Sequence, residues 1–395
     1  MRTQPRISGL SGNEIYCMHL KGFEPVGIVV GNSVRSMGLL GGLTAGVRGV
    51  IGGEIPEITQ IIHEGRQSAY ERMVAEVKQG SAHGAVGVTS ELRNLAGNTE
   101  YLFVGSSVRQ SGVDEFFTSA GDAQELYCHM DAGYKPLRYV FGNIAYSMGA
   151  VGGIVGGLKT MVRGEIKEFS DIFNATRHLA LQRVVDEARR AGANAVVGIR
   201  TKVERFNGAH EMFMAGTAVA HPALAEHAGH PVTSDLTGEE LWSLSALGFA
   251  PVKLVMSTSV YSLGAIGGLK AMFKGFVKGE ISDLTSMVYD AREHVFERLE
   301  REAGQVGADE IVGVKTYIIE LGSGLIEFVA VGTAVRKVVG TGTATAQLPP
   351  QAVIRDKDTW VSGDGGFDLQ GTRARVTNAA PWRGWILRPR SAPRR

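Results

Sequence analysis

Two pairs of metal-ligating residues stand out first: Cys17 and His19 in YCMH, and Cys128 and His129 in YCHM. Thiolate with imidazole suits a heavy or transition metal ion. On a helix, however, Cys17 and His19 point about 200° apart and do not share an ion within one chain. The matching place later in the chain holds Trp242 and Ser243, with no ligand. A cysteine there serves equally as a small apolar filler. Only a symmetric gathering of Cys17 from several subunits would make a site. His221, His227 and His230 with Glu226 form a second candidate, in a polar stretch that reads equally as a solvated linker.

A third set is ionic. Arg66, Arg177 and Arg292 recur at matching places, each beside an apolar helical stripe. A cation so placed needs an acceptor, because unpaired burial is costly. The recurring acids are Glu54, Glu165 and Glu280, and Glu100, Glu211 and Glu327. Each arginine is expected to pair with one of these acids and fix helix to sheet. Alternatively, arginine and acid line a pocket between domains for a small anion or metal. No nucleophile is paired with a base, and no cofactor fingerprint is present, so no enzyme activity is expected.

These residues sit in a threefold repeat. The stretch GLLGGLTAGVRGVIGGE ending at Glu54 returns as GAVGGIVGGLKTMVRGE ending at Glu165, and as GAIGGLKAMFKGFVKGE ending at Glu280. The period of about 110 residues is a domain length, not that of a short solenoid repeat. The expected units are residues 1–109, 120–220 and 235–338, with 339–395 a disordered basic tail.

Each unit opens with a capped helix, marked by Ser11 with Glu14, Asp122 with Glu125, and Thr237 with Glu240. Gly22, Gly133 and Gly248 occupy the C′ position, and Pro25, Pro136 and Pro251 start a strand. The strand covers Val26–Val30 and its counterparts. The glycine-rich stretch then reads as a helix with one face stripped for close approach. A second helix is expected near Thr59, Ser170 and Thr285 as caps, with Ile58, Ile62, Ala69, Met73 and Val77 as its first stripe. Two strands close the unit. In the first, Val86, Val88, Ser90 and Leu92 are expected on one face. The last strand, YLFVGSSV in unit one, is apolar on both faces, which implies cover from a neighbouring domain or subunit.

The motifs GIVVGNSV at 27–34, AGVRGVIGGE at 45–54, GAVGV at 84–88, ANAVVGI at 193–199, ADEIVGV at 308–314 and the closing GTAV at 216–219 and 332–335 resemble the YbjQ-like family, which carries a heavy-metal-binding label. The resemblance implies an α+β fold: three tandem repeats, each a small antiparallel sheet packed with helices in a dodecin-like layer. It also implies self-association, since single-domain members form rings of five. For this chain that means stacked rings, or three units closing on each other.

With 41 basic and 40 acidic residues the formal charge is +1, which gives no ground for a nucleic-acid partner. Two cysteines and no apolar leader point to a cytoplasmic protein. The expected function is therefore a non-enzymatic assembly or binding protein. No cofactor is fixed; a heavy or transition metal ion is the candidate. The alternative is peripheral binding to an anionic membrane through the basic faces of the glycine helices. These comprise Arg35 and Arg48, Lys159 and Arg163, and Lys270, Lys274 and Lys278.

Overall fold

Three similar α+β units follow one another, as the repeat requires. The computed structural model describes residues 6–36, 53–112, 115–147, 164–206, 209–262, 282–322 and 325–354. The expected glycine helices, their cations apart from Arg35, and the acid Glu280 lie outside these residues.

Unit one contains α1 (Gly12–Leu20), β1 (Phe23–Arg35), β2 (Gly53–Glu54), α2 (Pro56–Gln79), β3 (Gly84–Leu95) and β4 (Asn98–Gln110). Unit two repeats this as β5 (Phe117–Thr118), α3 (Ala123–Asp131), β6 (Lys135–Ser147), β7 (Gly164–Glu165), α4 (Lys167–Arg190), β8 (Ala195–Phe206) and β9 (Ala209–Ala220). Unit three has β10 (Val232–Thr233), α5 (Gly238–Ala246), β11 (Phe249–Ser262), α6 (Ser282–Gln305), β12 (Glu310–Gly322) and β13 (Leu325–Lys337), followed by α7 (Pro350–Val353).

The short helices form for the local reasons their sequences state. Ser11 and Glu14, and Thr237 and Glu240, make reciprocal capping boxes. Asp122 caps α3 alone, because Glu125 turns away to Arg200 at 2.8 Å. Gly22, Gly133 and Gly248 take left-handed φ near +80° at the C′ position. Proline does not delay the strand that follows. Pro25, Pro136 and Pro251 sit inside longer strands at register shifts, where a missing amide is tolerated.

Each sheet is an antiparallel three-strand core, ordered β1-β4-β3, β8-β9-β6 and β12-β13-β11. The sheets are stitched to their neighbours. β5 and β10 pair parallel with the preceding unit's β3 and β8. β2 and β7 pair antiparallel with the following unit's β6 and β11. The chain through residue 354 falls within one compact unit.

Gly87, Gly198 and Gly313 adopt positive φ at a bulge that breaks strand alternation. Val86 therefore packs in the cluster under α1, with Cys17, Phe23 and Val108, while Val88 packs in the cluster of α2. The expected shared face of Val86 and Val88 is thus corrected: one extra residue flips everything beyond it. The residue that admits close backbone approach is Gly31, where a Cβ would lie 2.1 Å from the Ala69 carbonyl oxygen of α2. Gly142 meets the Ala180 carbonyl of α4 in the same way, at 2.3 Å.

The tail differs from expectation over 339–354. Ala352 is buried against α1 and α3, and the side-chain amides of Asn13 and Gln124 each donate to the Ile354 carbonyl at 2.9 Å. Asp131 at the end of α3 gathers the rest. It accepts from Lys21 Nζ at 2.8 Å, Trp242 Nε1 at 2.8 Å and Thr345 Oγ1 at 2.7 Å. Burial raises its carboxyl's pKa, and these donors outweigh burial, so it stays below its ordinary value. One carboxylate thereby ties the opening helices of all three units to the returning chain.

Gly142→Ala is expected to destabilise the protein by about 1–3 kcal/mol, because α4's backbone cannot retreat from the new methyl. Ser257 holds the matching place in unit three. Ser257→Gly is expected to stay within about 1 kcal/mol. Urea unfolding midpoints of the two variants check the contrast.

Candidate functional site

The ionic residues converge at the joints between units. Arg66 on α2 is fully buried. Its Nε donates to Glu211 Oε1 at 3.1 Å and its Nη2 to Glu211 Oε2 at 2.7 Å, a two-pronged contact onto β9 of the next unit. Nη1 donates to Ser90 Oγ at 2.6 Å on its own sheet, and the guanidinium lies 4.0 Å over the Phe213 ring. Burial alone would lower the Arg66 pKa, but the carboxylates of Glu211 and Glu204 outweigh it and raise the value further. The second joint repeats the contact. Arg177 on α4 meets Glu327 on β13 at 2.5 Å, and Glu327 also accepts from Thr258 Oγ1 at 2.7 Å.

A second ion pair crosses each joint in the opposite sense. Arg183 donates to Glu54 at 2.7 Å and to the Asn143 carbonyl at 2.6 Å. Arg298 donates to Glu165 at 2.9 Å and to the Thr258 carbonyl at 2.8 Å. Burial raises the Glu165 carboxyl's pKa, but hydroxyl donors Ser259 and Ser170 with Arg298 bring it below its ordinary value. Glu54 and Glu165 thus serve arginines other than Arg66 and Arg177. Arg183 and Arg298 were missed from sequence, although Arg72, Arg183 and Arg298 recur in the same register.

Thr59 and Ser170 are also reassigned. The long helices start earlier, at Pro56 and Lys167, and use no side-chain cap. Instead Thr59 Oγ1 accepts from the Ala145 amide at 2.9 Å, and Ser170 Oγ from the Val260 amide at 2.9 Å. Both hydroxyls fasten a helix to the next unit. The last strand of unit two is covered on both faces as expected, and the cover is the preceding helix: Phe213 and Ala215 belong to the core cluster of α2. In unit one the expectation is not met, since Leu102 and Val104 of β4 remain half-exposed. Beside the first joint lies a cleft of about 370 Å³, lined by Glu54, Thr59, His63, Phe141, Arg183 and Glu187. A pocket with arginine and acid therefore exists between units, without Arg66.

Arg292 and Glu100 are the two members of the series left over. Arg292 is half-buried on α6 and stacks 4.4 Å over Tyr289. Glu100 is half-buried on β4, where Asn32 donates to it at 3.3 Å. Among the described side chains neither forms an ion pair. Arg35, expected on a glycine helix, ends β1 instead and meets Glu64 at 3.2 Å.

The candidate metal ligands do not converge. Cys17 and Cys128 are buried in one apolar cluster and are not in a disulfide. His19 is exposed on the other side of α1. His129 is wholly buried, and burial lowers its pKa to about 4, so the ring is neutral at pH 7. His221 is a brace: it accepts from the Ala223 amide at 3.1 Å and meets the Ala132 carbonyl at 3.1 Å. His227 and Glu226 approach to 3.3 Å, with Arg336 also on Glu226. Among the described residues, no three of His, Cys, Asp and Glu gather to hold a metal, so these side chains do not fit one. Among the same residues no helix is long and apolar enough to cross a membrane.

The joint occurs twice because the domain occurs three times, and a family model described as "Putative heavy-metal-binding" matches the chain at residues 19–111, 132–221 and 250–338. The chain belongs to the YbjQ family. Single YbjQ domains match the UPF0145 protein of Methanococcus maripaludis, 38% identical over 22% of this chain and 78% of that protein. The UPF0145 protein of Thermus thermophilus is 39% identical over 22% and 76%. A longer match is to a protein of Mycobacterium tuberculosis named encapsulin nanocompartment protein, 30% identical over 55% of this chain and 87% of that protein.

Removing one partner of the joint between YbjQ domains leaves a buried charge. Glu327→Ala is expected to cost about 3–5 kcal/mol, whereas the paired change Arg177→Met with Glu327→Leu costs far less. Chemical unfolding of the single and double variants checks this.

Proposed function

We propose that this protein is a non-enzymatic assembly protein of the cytoplasm. Its three YbjQ domains form a prefabricated block, and copies of the block associate into a larger body. The observation that carries the reading is the contrast between the interior joints and the first sheet. In units two and three the outer sheet face is roofed by the preceding helix: Tyr139, Phe141 and Ala145 are 2%, 1% and 1% exposed. Their counterparts in unit one, Ile28, Val30 and Val34, are 43%, 44% and 47% exposed. A contiguous apolar face rimmed by charge is the usual mark of an association surface.

The name of the Mycobacterium tuberculosis relative, an encapsulin nanocompartment protein, points the same way. Stacks of three separate rings fit the joint poorly. Each internal joint already uses one helix face and one sheet face, and successive domains stand side by side. The heavy-metal label has no ligand set among the described side chains, so the reading rests on assembly. Native mass spectrometry of the full-length chain at micromolar concentration is expected to show whole multiples of one chain. A single-chain mass throughout would contradict the proposal.

A further inference from the structure

Two faces left part-exposed among the described residues carry the residues that, inside the chain, make the two halves of a joint. Inside the chain, α2 lays Ile62, Arg66 and Tyr70 onto the sheet of unit two, and α4 lays Phe173, Arg177 and Leu181 onto the sheet of unit three. These side chains are all buried. The matching residues of α6 are Val288, Arg292 and Phe296, and all three remain half-exposed. The matching acceptor face is Ile28, Val30 and Val34 with Glu100. In register, Val34 faces Glu100 as Ala145 faces Glu211 and Val260 faces Glu327.

Resting on the assembly reading, we infer that the occupant of each open face is a second copy of this chain, joined head to tail. Helix α6 of one copy roofs the first sheet of the next, and Arg292 takes that copy's Glu100. Three observations select this partner. The charges are complementary, with a cation on one face and an acid on the other. The apolar residues stand at the same positions as those buried in both internal joints. The contact continues the existing series in the same direction. Such an interface is heterologous: it closes into a ring if the rotation permits and otherwise extends. It also adds domains three at a time.

The joint between copies is built weaker than the first joint within the chain. In the first joint Glu204 lies 3.5 Å from Arg66 as a second acid. Its register counterpart in unit one is Arg93, which is exposed and held by Glu91 at 2.8 Å. An incoming Arg292 therefore meets one acid and a nearby cation, which favours reversible association. Replacing Arg93 by Glu is expected to tighten it.

The test is charge exchange in the full-length chain, read by sedimentation velocity across a concentration series. Glu100→Arg and Arg292→Glu, each alone, are expected to weaken association about tenfold or more. An equal mixture of the two variants restores it, since each then offers the face the other lacks. Glu100→Gln and Arg292→Gln, which keep side-chain shape, weaken it less, and unchanged thermal melting shows that the chains still fold. If the unsubstituted chain assembles and both reversals assemble equally well, this pairing is wrong while self-association stands. Loss in both variants without recovery in the mixture also overturns the pairing. An unsubstituted chain that stays single defeats the assembly reading itself and leaves the faces to this chain's own segments or another partner.

Discussion

A buried guanidinium cannot be left without a carboxylate, and the joint between units is arranged around that demand. Arg66 and Arg177 lie on helices of one unit, while their acids lie on the sheet of the next. A slip of one residue in either strand would strand two charges away from water at a cost of several kcal/mol. The pair therefore specifies register and direction more than it adds net stability. Apolar burial supplies the attraction: Ile62 is wholly buried, and such a side chain contributes about 1.5–3 kcal/mol.

A second layer reinforces the order of the units. The opening helices pack in series, α1 on α3 and α3 on α5, and Asp131 holds donors from units one and three and from the returning chain. Through this carboxylate the short helices and the sheets are constrained together. Loosening one joint would strain the helices above it, so the block is expected to behave as one cooperative body. That rigidity is what an assembly subunit requires, since rigid faces lose less entropy on association.

Features with local causes were legible in the sequence. Ser11 with Glu14 and the C′ glycines declare helix ends through contacts within four residues. The ionic set Arg66, Arg177, Glu211 and Glu327 was legible because it recurs, but recurrence could not say that the acid belongs to the following unit. Thr59 and Ser170 look like caps and act as tethers, because their partners, Ala145 and Val260, are far along the chain. The bulge at Gly87 inverted the expected face of Val86, since alternation is lost where a glycine takes positive φ. Residues 339–354 scatter small apolar residues among Gly, Thr and Pro. Their order comes from Asp131, Gln124 and Asn13, which no local pattern in the tail reveals.

The central claim is that the helix-on-sheet joint continues from copy to copy. His63 and Asn143 touch across the first joint at 3.2 Å, and their counterparts at the open faces are Tyr289 and Asn32, both exposed. The most direct measurement is oxidative cross-linking of the full-length chain carrying both Tyr289→Cys and Asn32→Cys, run on a non-reducing gel. Cys17 and Cys128 are buried and should stay out of the reaction. The account predicts a ladder of covalent multimers from the double variant and none from either single variant. A double variant that remains one chain long would contradict it.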